Sequence, residues 1–359
     1  MGDNRAGPPQ QGLRRRSPDG LDETAVTGAA DTAGRTLSEL LAPVGRLALV
    51  GLAKNTGKTV TLAAILAEHA AAARHVGVTS IGRDGERHDV IDARIDKPRI
   101  LLQTGDLVAS TAALMRASGV AHERVERTGV RTSLGEVVIA RLAEPGAIEV
   151  AGPNAAADVR AVSDAMLDLG AEQVLIDGAI DRRAASSPSV ADGLVMATGA
   201  VLGEDIEDVV SATRDAADLV RLPRAGEGGV SLDARMALSA EPAQIATLLR
   251  EHPGADTFLV QGALGERFLE GLLAARRERS GRELRIVAAD PTRVFLSRRG
   301  PRWYERQGVA IGVLRTIDLR AITVNPVAPR SHRFDSPQLQ ELIRAAIPDI
   351  PVLDVLDPS

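Results

Sequence analysis

The sequence of 359 residues contains no cysteine, only three lysines and only six aromatic side chains. Without a thiol the chain can build no disulfide framework, zinc–thiolate site or iron–sulfur centre, and it has no cysteine nucleophile. Six aromatics are too few for a base-stacking platform. A formal net charge of −5 offers nucleic acid no global attraction, so no nucleic-acid partner is expected. No apolar run approaches the roughly 20 residues that span a bilayer, and no membrane partner is expected either. The cluster Arg14-Arg15-Arg16 runs into Ser17-Pro18-Asp19-Gly20, which argues against a secretory or twin-arginine signal. The expectation is a soluble, cytoplasmic protein. His69, His75, His88, His122, His252 and His332 show neither HExxH nor HxH spacing, which disfavours a histidine-based metal site.

The lysine shortage points to a site. Forty of the 43 basic residues are arginine, yet Lys54 and Lys58 fall in one glycine-bearing loop. A composition that writes nearly every cation as Arg has kept the compact ammonium there. Lys97, before Pro98, acquires no role from the sequence.

Residues 1–36 are rich in Gly, Pro, Arg, Asp and Ala, poor in apolar periodicity, and read as a disordered tail. From Leu37 onward short apolar runs alternate with helical patterns, which signals a parallel α/β sheet. The patterns predict strands over Leu47–Leu52, Val76–Ile81, Arg99–Leu102, Val137–Ala140, Gln173–Asp177, Gly193–Thr198, Thr257–Gln261, Leu284–Ala288, Val309–Leu314 and Ala321–Val324. Helices are expected over Lys58–Ala73, Ala156–Leu169, Ile206–Ala217, Pro242–His252, Gly265–Arg277 and Ser336–Ala346. Pro and Gly gather between Arg221 and Gly229, which marks a seam.

The first strand runs through Gly51-Leu52-Ala53-Lys54-Asn55-Thr56-Gly57-Lys58-Thr59 into a helix that continues Val60-Thr61-Leu62. Strand, glycine loop, Gly-Lys-Thr, helix is the context a phosphate-binding loop demands. Backbone N–H groups around Asn55–Lys58 would face phosphates, aided by the positive end of the helix. Lys58 would reach the β- and γ-phosphates of ATP, and the Thr59 hydroxyl would serve Mg²⁺. The candidate nucleotide-binding residues are therefore Lys54, Asn55, Thr56, Gly57, Lys58, Thr59 and Val60. The motif departs from the standard one: five residues, not four, separate Gly51 from Gly57, and Leu52 stands at the usual first-glycine position. An ordinary strand-to-helix turn with a chance Gly-Lys-Thr is the competing reading, and strand context and lysine scarcity both weigh against it.

Such a site needs a carboxylate at the end of a neighbouring buried strand. Val174-Leu175-Ile176-Asp177-Gly178-Ala179 fits, with Asp177 as the Mg²⁺ partner. The second strand leads to Arg83-Asp84-Gly85-Glu86, where Asp84 is a candidate to ligate Mg²⁺ or position a water and Arg83 to neutralise phosphate; a plain glycine-rich turn explains it equally well. Lys58, Asp84 and Asp177 form the candidate catalytic set, and either Arg182 or Arg183 is a candidate transition-state cation. Ala321-Ile322-Thr323-Val324 ends in Asn325-Pro326, and an Asn amide carries the donor and acceptor that a purine edge requires. Asn before Pro is also a common turn pair.

These nucleotide segments resemble the dethiobiotin-synthetase type of P-loop protein, within the SIMIBI class, which also places five residues before its Gly-Lys-Thr. The resemblance implies that Lys58, Thr59, Asp177 and Asn325 contact nucleotide or Mg²⁺. It also implies an α/β P-loop domain over 37–220 completed by 319–359, with 221–318 as an inserted α/β subdomain. A closer likeness covers nearly everything after residue 40: GLAKNTGKTVTL, TSIGRDGE, LGEVVIARL, VLIDGAIDRRAASSP, VMATGA and ITVNPVAP are similar to strings in the P-loop subunit of the lysine 5,6-aminomutase reactivase family. That resemblance implies an ATP-driven reactivating chaperone for an adenosylcobalamin-dependent aminomutase, working beside a MutS-like ATPase subunit; a homodimer is compatible with it. An ATP-dependent small-molecule ligase and a nucleotide-binding regulatory module without turnover are the competing functions. Under the reactivating-chaperone reading, Trp303 and Tyr304, the only Trp and Tyr, would face a partner or else fill a local core.

Overall fold

Strands that are apolar at every position must be covered on both faces, which favours parallel sheets enclosed by helices. The computed structural model of the chain describes residues 37–41, 44–81, 99–179, 183–277, 283–329 and 331–356 and has this architecture. The first half runs α1 (Leu37–Leu41), β1 (Arg46–Gly51), α2 (Lys58–Ala71), β2 (Val76–Ser80), β3 (Ile100–Leu102), β4 (Leu107–Thr111), α3 (Ala112–Ser118), β5 (His122–Thr132), β6 (Gly135–Leu142), β7 (Gly146–Ile148), α4 (Ala156–Asp168), β8 (Gln173–Ala179), β9 (Gly193–Gly199) and α5 (Ile206–Val220). The second runs β10 (Val230–Leu232), α6 (Ala234–Ser239), α7 (Pro242–Glu251), β11 (Thr257–Val260), β12 (Leu264–Gly265), α8 (Glu266–Arg277), β13 (Leu284–Ala288), β14 (Val294–Phe295), α9 (Pro301–Arg306), β15 (Val309–Val313), β16 (Asp318–Asn325), α10 (Ser336–Ala346) and β17 (Val352–Leu353). The sequence-predicted tail over 1–36, Asp84, Lys97 and Arg182 lie outside the described residues.

Nine strands form one sheet in the order β17-β16-β9-β1-β8-β2-β4-β6-β5. β1 pairs in parallel with β8 on one side and β9 on the other. β2 and β4 continue in parallel beyond β8, and β16 and β17 beyond β9. The far edge is finished by β6 and β5, an antiparallel hairpin. Alternation along β1 separates two core layers: Leu47 and Leu49 pack with Leu41, Leu62 and Ile65 of α1 and α2, while Ala48 and Val50 join Val159, Val209 and Ile343 of α4, α5 and α10. One expected strand changes place. Arg99–Leu102, expected as a strand of the parallel sheet, holds β3, which pairs antiparallel with β7 in a separate two-stranded sheet, while β4 lies beside β2.

Between Leu222 and Val313 the chain builds a second sheet, β10-β11-β13-β15, parallel throughout. It carries its own buried cluster around Phe258, Phe268, Leu272, Ile286 and Tyr304. Tyr304 is fully buried and bonds Glu266 through its hydroxyl at 3.0 Å, which removes it from the surface where the sequence allowed a partner contact.

Gln173, buried at the start of β8, ties three segments together. Its Nε2 donates to the carbonyls of Leu41 (2.9 Å) and Val44 (2.7 Å), so its Oε1, 3.1 Å from His69 Nε2, must accept from that ring. Burial pushes the buried His69 below its ordinary range, opposed by the Gln173 bond. The unfolded chain accepts a proton near the ordinary value of 6.5 and the folded one does not. Stability is therefore lost as pH falls below that value toward the lower folded pKa. We expect the urea midpoint of the wild type to drop between about pH 7 and pH 5.5, and His69→Gln to flatten that part of the profile. Gln173→Ala strands two buried carbonyls and should cost about 1–3 kcal/mol in the same titration.

Candidate functional site

β1, buried along nearly its whole length, ends at Gly51 between the carboxyl ends of two parallel neighbours, the position where open α/β sheets take ligands. Leu52 N–H still donates to Ala197 of β9 at 2.9 Å, after which the chain turns away. The turn needs left-handed backbone at Asn55 (φ 69°) and Gly57 (φ 90°). It is closed internally by Thr56, buried, whose hydroxyl donates to the Ala53 carbonyl at 3.0 Å. Gly51 leaves room for that bond, since a Cβ there would stand 2.6 Å from Thr56 Oγ1.

α2 starts at Lys58 with no side chain capping its first turn. Its first N–H groups and dipole are thus available to an anion. The Thr61 hydroxyl bonds the Gly57 carbonyl (3.3 Å) and lies 2.8 Å from Thr323 Oγ1 of β16, so the helix start is pinned to a strand two places away in the sheet. The Lys58 ammonium lies 2.6 Å from Asp177 Oδ1, with both side chains mostly shielded. Asp177 sits in β8 opposite Leu49 of β1 and Ser80 of β2. Its Oδ1 is buried and accepts no aligned hydrogen bond, so the contact with Lys58 is a charge pairing rather than a directed bond. An acceptor of this kind fits a cation or a cation-bound water.

The structure therefore brings Asn55, Thr56, Gly57, Lys58, Asp177 and Asn325 together. Lys54, Thr59 and Val60, like Asn55, are exposed. Asn325, at the end of β16, is engaged in a way the sequence did not indicate: its Nδ2 donates to the Asn55 carbonyl (2.8 Å) and its Oδ1 accepts from Val327 N–H (3.1 Å). Its amide braces the loop, and any contact with a purine edge must compete with those two bonds. Pro326 is buried, and its carbonyl accepts from Phe334 N–H at 2.9 Å. Among the described residues no group of three or more His, Asp and Glu is placed to hold a metal by itself. One support, Thr323, escaped the sequence reading, and Thr56, expected there as a nucleotide contact, closes the loop internally. The hydroxyl of Thr323 in an otherwise apolar run of β16 was the available signal.

No protein-family model and no curated protein sequence matches the chain. Among solved structures, pNOB8 ParA bound to nonspecific DNA is similar over 85% of this chain and 98% of that one, at 15% identity and a TM-score of 0.26, too shallow a likeness to decide fold or activity. Among the described residues no helix is long and apolar enough to cross a membrane.

The Gly51 contact gives a direct check. Gly51→Ala should lower stability by about 1–3 kcal/mol through the clash with Thr56, and adding Thr56→Ala should return part of that loss in chemical denaturation.

Proposed function

We propose that the chain is a P-loop ATPase that binds Mg²⁺–ATP at the loop 54–60. The observation that carries this reading is the Lys58–Asp177 pairing beside an uncapped helix start, at the end of a central parallel strand. On this reading the phosphates displace Asp177 from Lys58: the ammonium turns to the β- and γ-phosphate oxygens, and the N–H groups at the start of α2 hold the same oxygens. Thr59 and the freed Asp177 would hold Mg²⁺, which neutralises charge developing on the phosphoryl group. The role of Asp84 as a further metal or water ligand rests on its place after β2 in the sequence. Asn325 positions the loop, and its readout of the base, with Pro326 beside it, is part of the same proposal.

The finer reading is a subunit of a reactivating chaperone for a cobalamin-dependent aminomutase, beside a MutS-like ATPase. It is supported by the sequence strings described above, and the second α/β unit provides a surface separate from the loop. In such a cycle ATP acts only through a difference in affinity between two conformations. Lys58→Ala should reduce phosphate release by about 10²-fold or more, with nucleotide affinity measured by calorimetry falling alongside; Lys58→Arg should not restore it, because a planar guanidinium does not replace the ammonium. Unchanged turnover and affinity in Lys58→Ala would sink the site assignment. The chaperone reading expects ATP turnover to rise on adding the aminomutase and the MutS-like subunit. A rise with a small acid or diamine instead identifies a ligase, and binding without turnover under either condition identifies a regulatory module.

A further inference from the structure

A cavity between α5 and α9 shares no residue with the Lys58 loop. It has a volume of about 360 Å³, and five arginines line it: Arg214 from α5, and Arg298, Arg299, Arg302 and Arg306 from α9 and the segment before it. Asp215 and Asp218 are the only carboxylates in the lining. Arg302 is paired with Asp218 at 2.7 Å, and Arg298 reaches Glu270 at 3.3 Å. Arg214, Arg299 and Arg306 have no carboxylate within ion-pair distance among the described residues. Five guanidinium groups against two carboxylates give the lining an excess of positive charge, and the planar forks match the oxygens of a phosphoryl group.

Two further features narrow the ligand. The side chain of Asp218 is only 9% exposed, and its Oδ2 is buried with no hydrogen-bond partner, so one acceptor in the wall is unsatisfied. Its partner Arg302 is 56% exposed and free to turn. The half-buried Trp303 ring also lines the cavity, with the Arg299 guanidinium 5.5 Å from its centroid and the Tyr304 ring edge-on at 5.0 Å.

We propose that this cavity binds a phosphorylated, hydroxyl-bearing small molecule of the sugar phosphate or nucleoside phosphate class. The phosphoryl group recruits Arg214, Arg299 and Arg306 and draws Arg302 away from Asp218, whose carboxylate then accepts a ligand hydroxyl. Two sources share this chemistry, a free sugar phosphate and a nucleotide, and the latter would add ring contact with Trp303. This inference stands apart from the Lys58 reading and survives its failure.

Trp303 is the only tryptophan, so its emission reports on the surroundings of this one ring, and calorimetry with the arginine variants ties the response to the cavity. Full-length protein carrying Lys58→Ala is titrated with ribose 5-phosphate, AMP and pyrophosphate at constant ionic strength, by emission and by calorimetry. We expect saturable binding of ribose 5-phosphate and AMP, and weaker binding of pyrophosphate, which has no hydroxyl to offer. Arg299→Ala with Arg306→Ala should weaken binding about tenfold or more, and Asp218→Ala should erase the preference over pyrophosphate. Equal affinities for AMP and ribose 5-phosphate identify the sugar phosphate as the determinant, and tighter AMP binding identifies the nucleoside. Silence in both measurements, a response matched by chloride or sulfate, binding untouched by the arginine substitutions, or binding of polyglutamate in place of every small phosphate each overturns the proposal. Circular dichroism confirms that the surface variants remain folded.

Discussion

An ammonium at the first residue of a helix stands at the wrong end of the helix dipole, and Lys58 is held there with no cap to help it. Its 2.6 Å approach to Asp177 offsets that field, and much of the surrounding architecture exists to make the approach possible. β8 must lie directly beside β1, in parallel and in the register that sets Asp177 opposite Leu49. β1 must then release a loop tight enough to return a helix over the same strand ends, which calls for left-handed backbone at Asn55 and Gly57. The bond from Thr56 closes this return path from within, and those from Thr61 to Thr323 and from Asn325 to Asn55 hold it to β16. Each strand flanking the loop contributes either a charge or a brace.

How legible this was depends on whether a residue's surroundings were local in the sequence. β1, β2, β8, β9 and β16 announce themselves because burial on both faces requires unbroken apolar runs. The strand–loop–helix around Gly57-Lys58-Thr59 was equally readable, since its chemistry is contained in a dozen consecutive residues. β5 was not, because His122–Thr132 is an edge strand whose charged and exposed positions carry no hydrophobic signal. β4 was hidden by its nearness to β3, with only four residues between the two. The bracing by Asn325 crosses 270 residues of sequence, and nothing local distinguishes a loop brace from a base reader. Trp303 and Tyr304 show the same limit: adjacent and alike in composition, one is buried in a core and the other half-exposed at a cavity wall.

The two sheets communicate through few elements. α5, which packs beneath the large sheet through Val209 and Ala217, also meets α9 and the 3-10 turn Pro291–Arg293 of the second unit. The turn Arg183–Ser186, which follows β8 and its Asp177, packs against that same Pro291–Arg293 turn. Asp290 fixes the turn by accepting from Thr292 N–H at 3.0 Å and pairing with Arg315 at 3.3 Å.

Arginine is so abundant in this chain that its positions in sequence say little, and only its pairing in space discriminates among them. Arg46 is shared between Asp164 and Asp192, Arg127 faces Glu136, Arg221 faces Asp349 and Arg320 faces Asp318. Such pairs, most of them partly in solvent, contribute little each and explain the background. The two places that depart from it do so in opposite ways. At the loop a lysine replaces the prevailing arginine and is closely paired, as a compact charge beside a carboxylate that a phosphate can displace. At the cavity the arginines are retained and three have no ion pair among the described residues, with the Arg299 guanidinium lying over the Trp303 ring. A chain with far more cations than its ion pairs consume can leave guanidinium groups unpaired anywhere on an open surface at little cost. Gathering them around one concavity, beside a buried carboxylate oxygen with nothing to accept, raises the local repulsion and leaves an acceptor unsatisfied, and an anionic ligand with a hydroxyl relieves both at once.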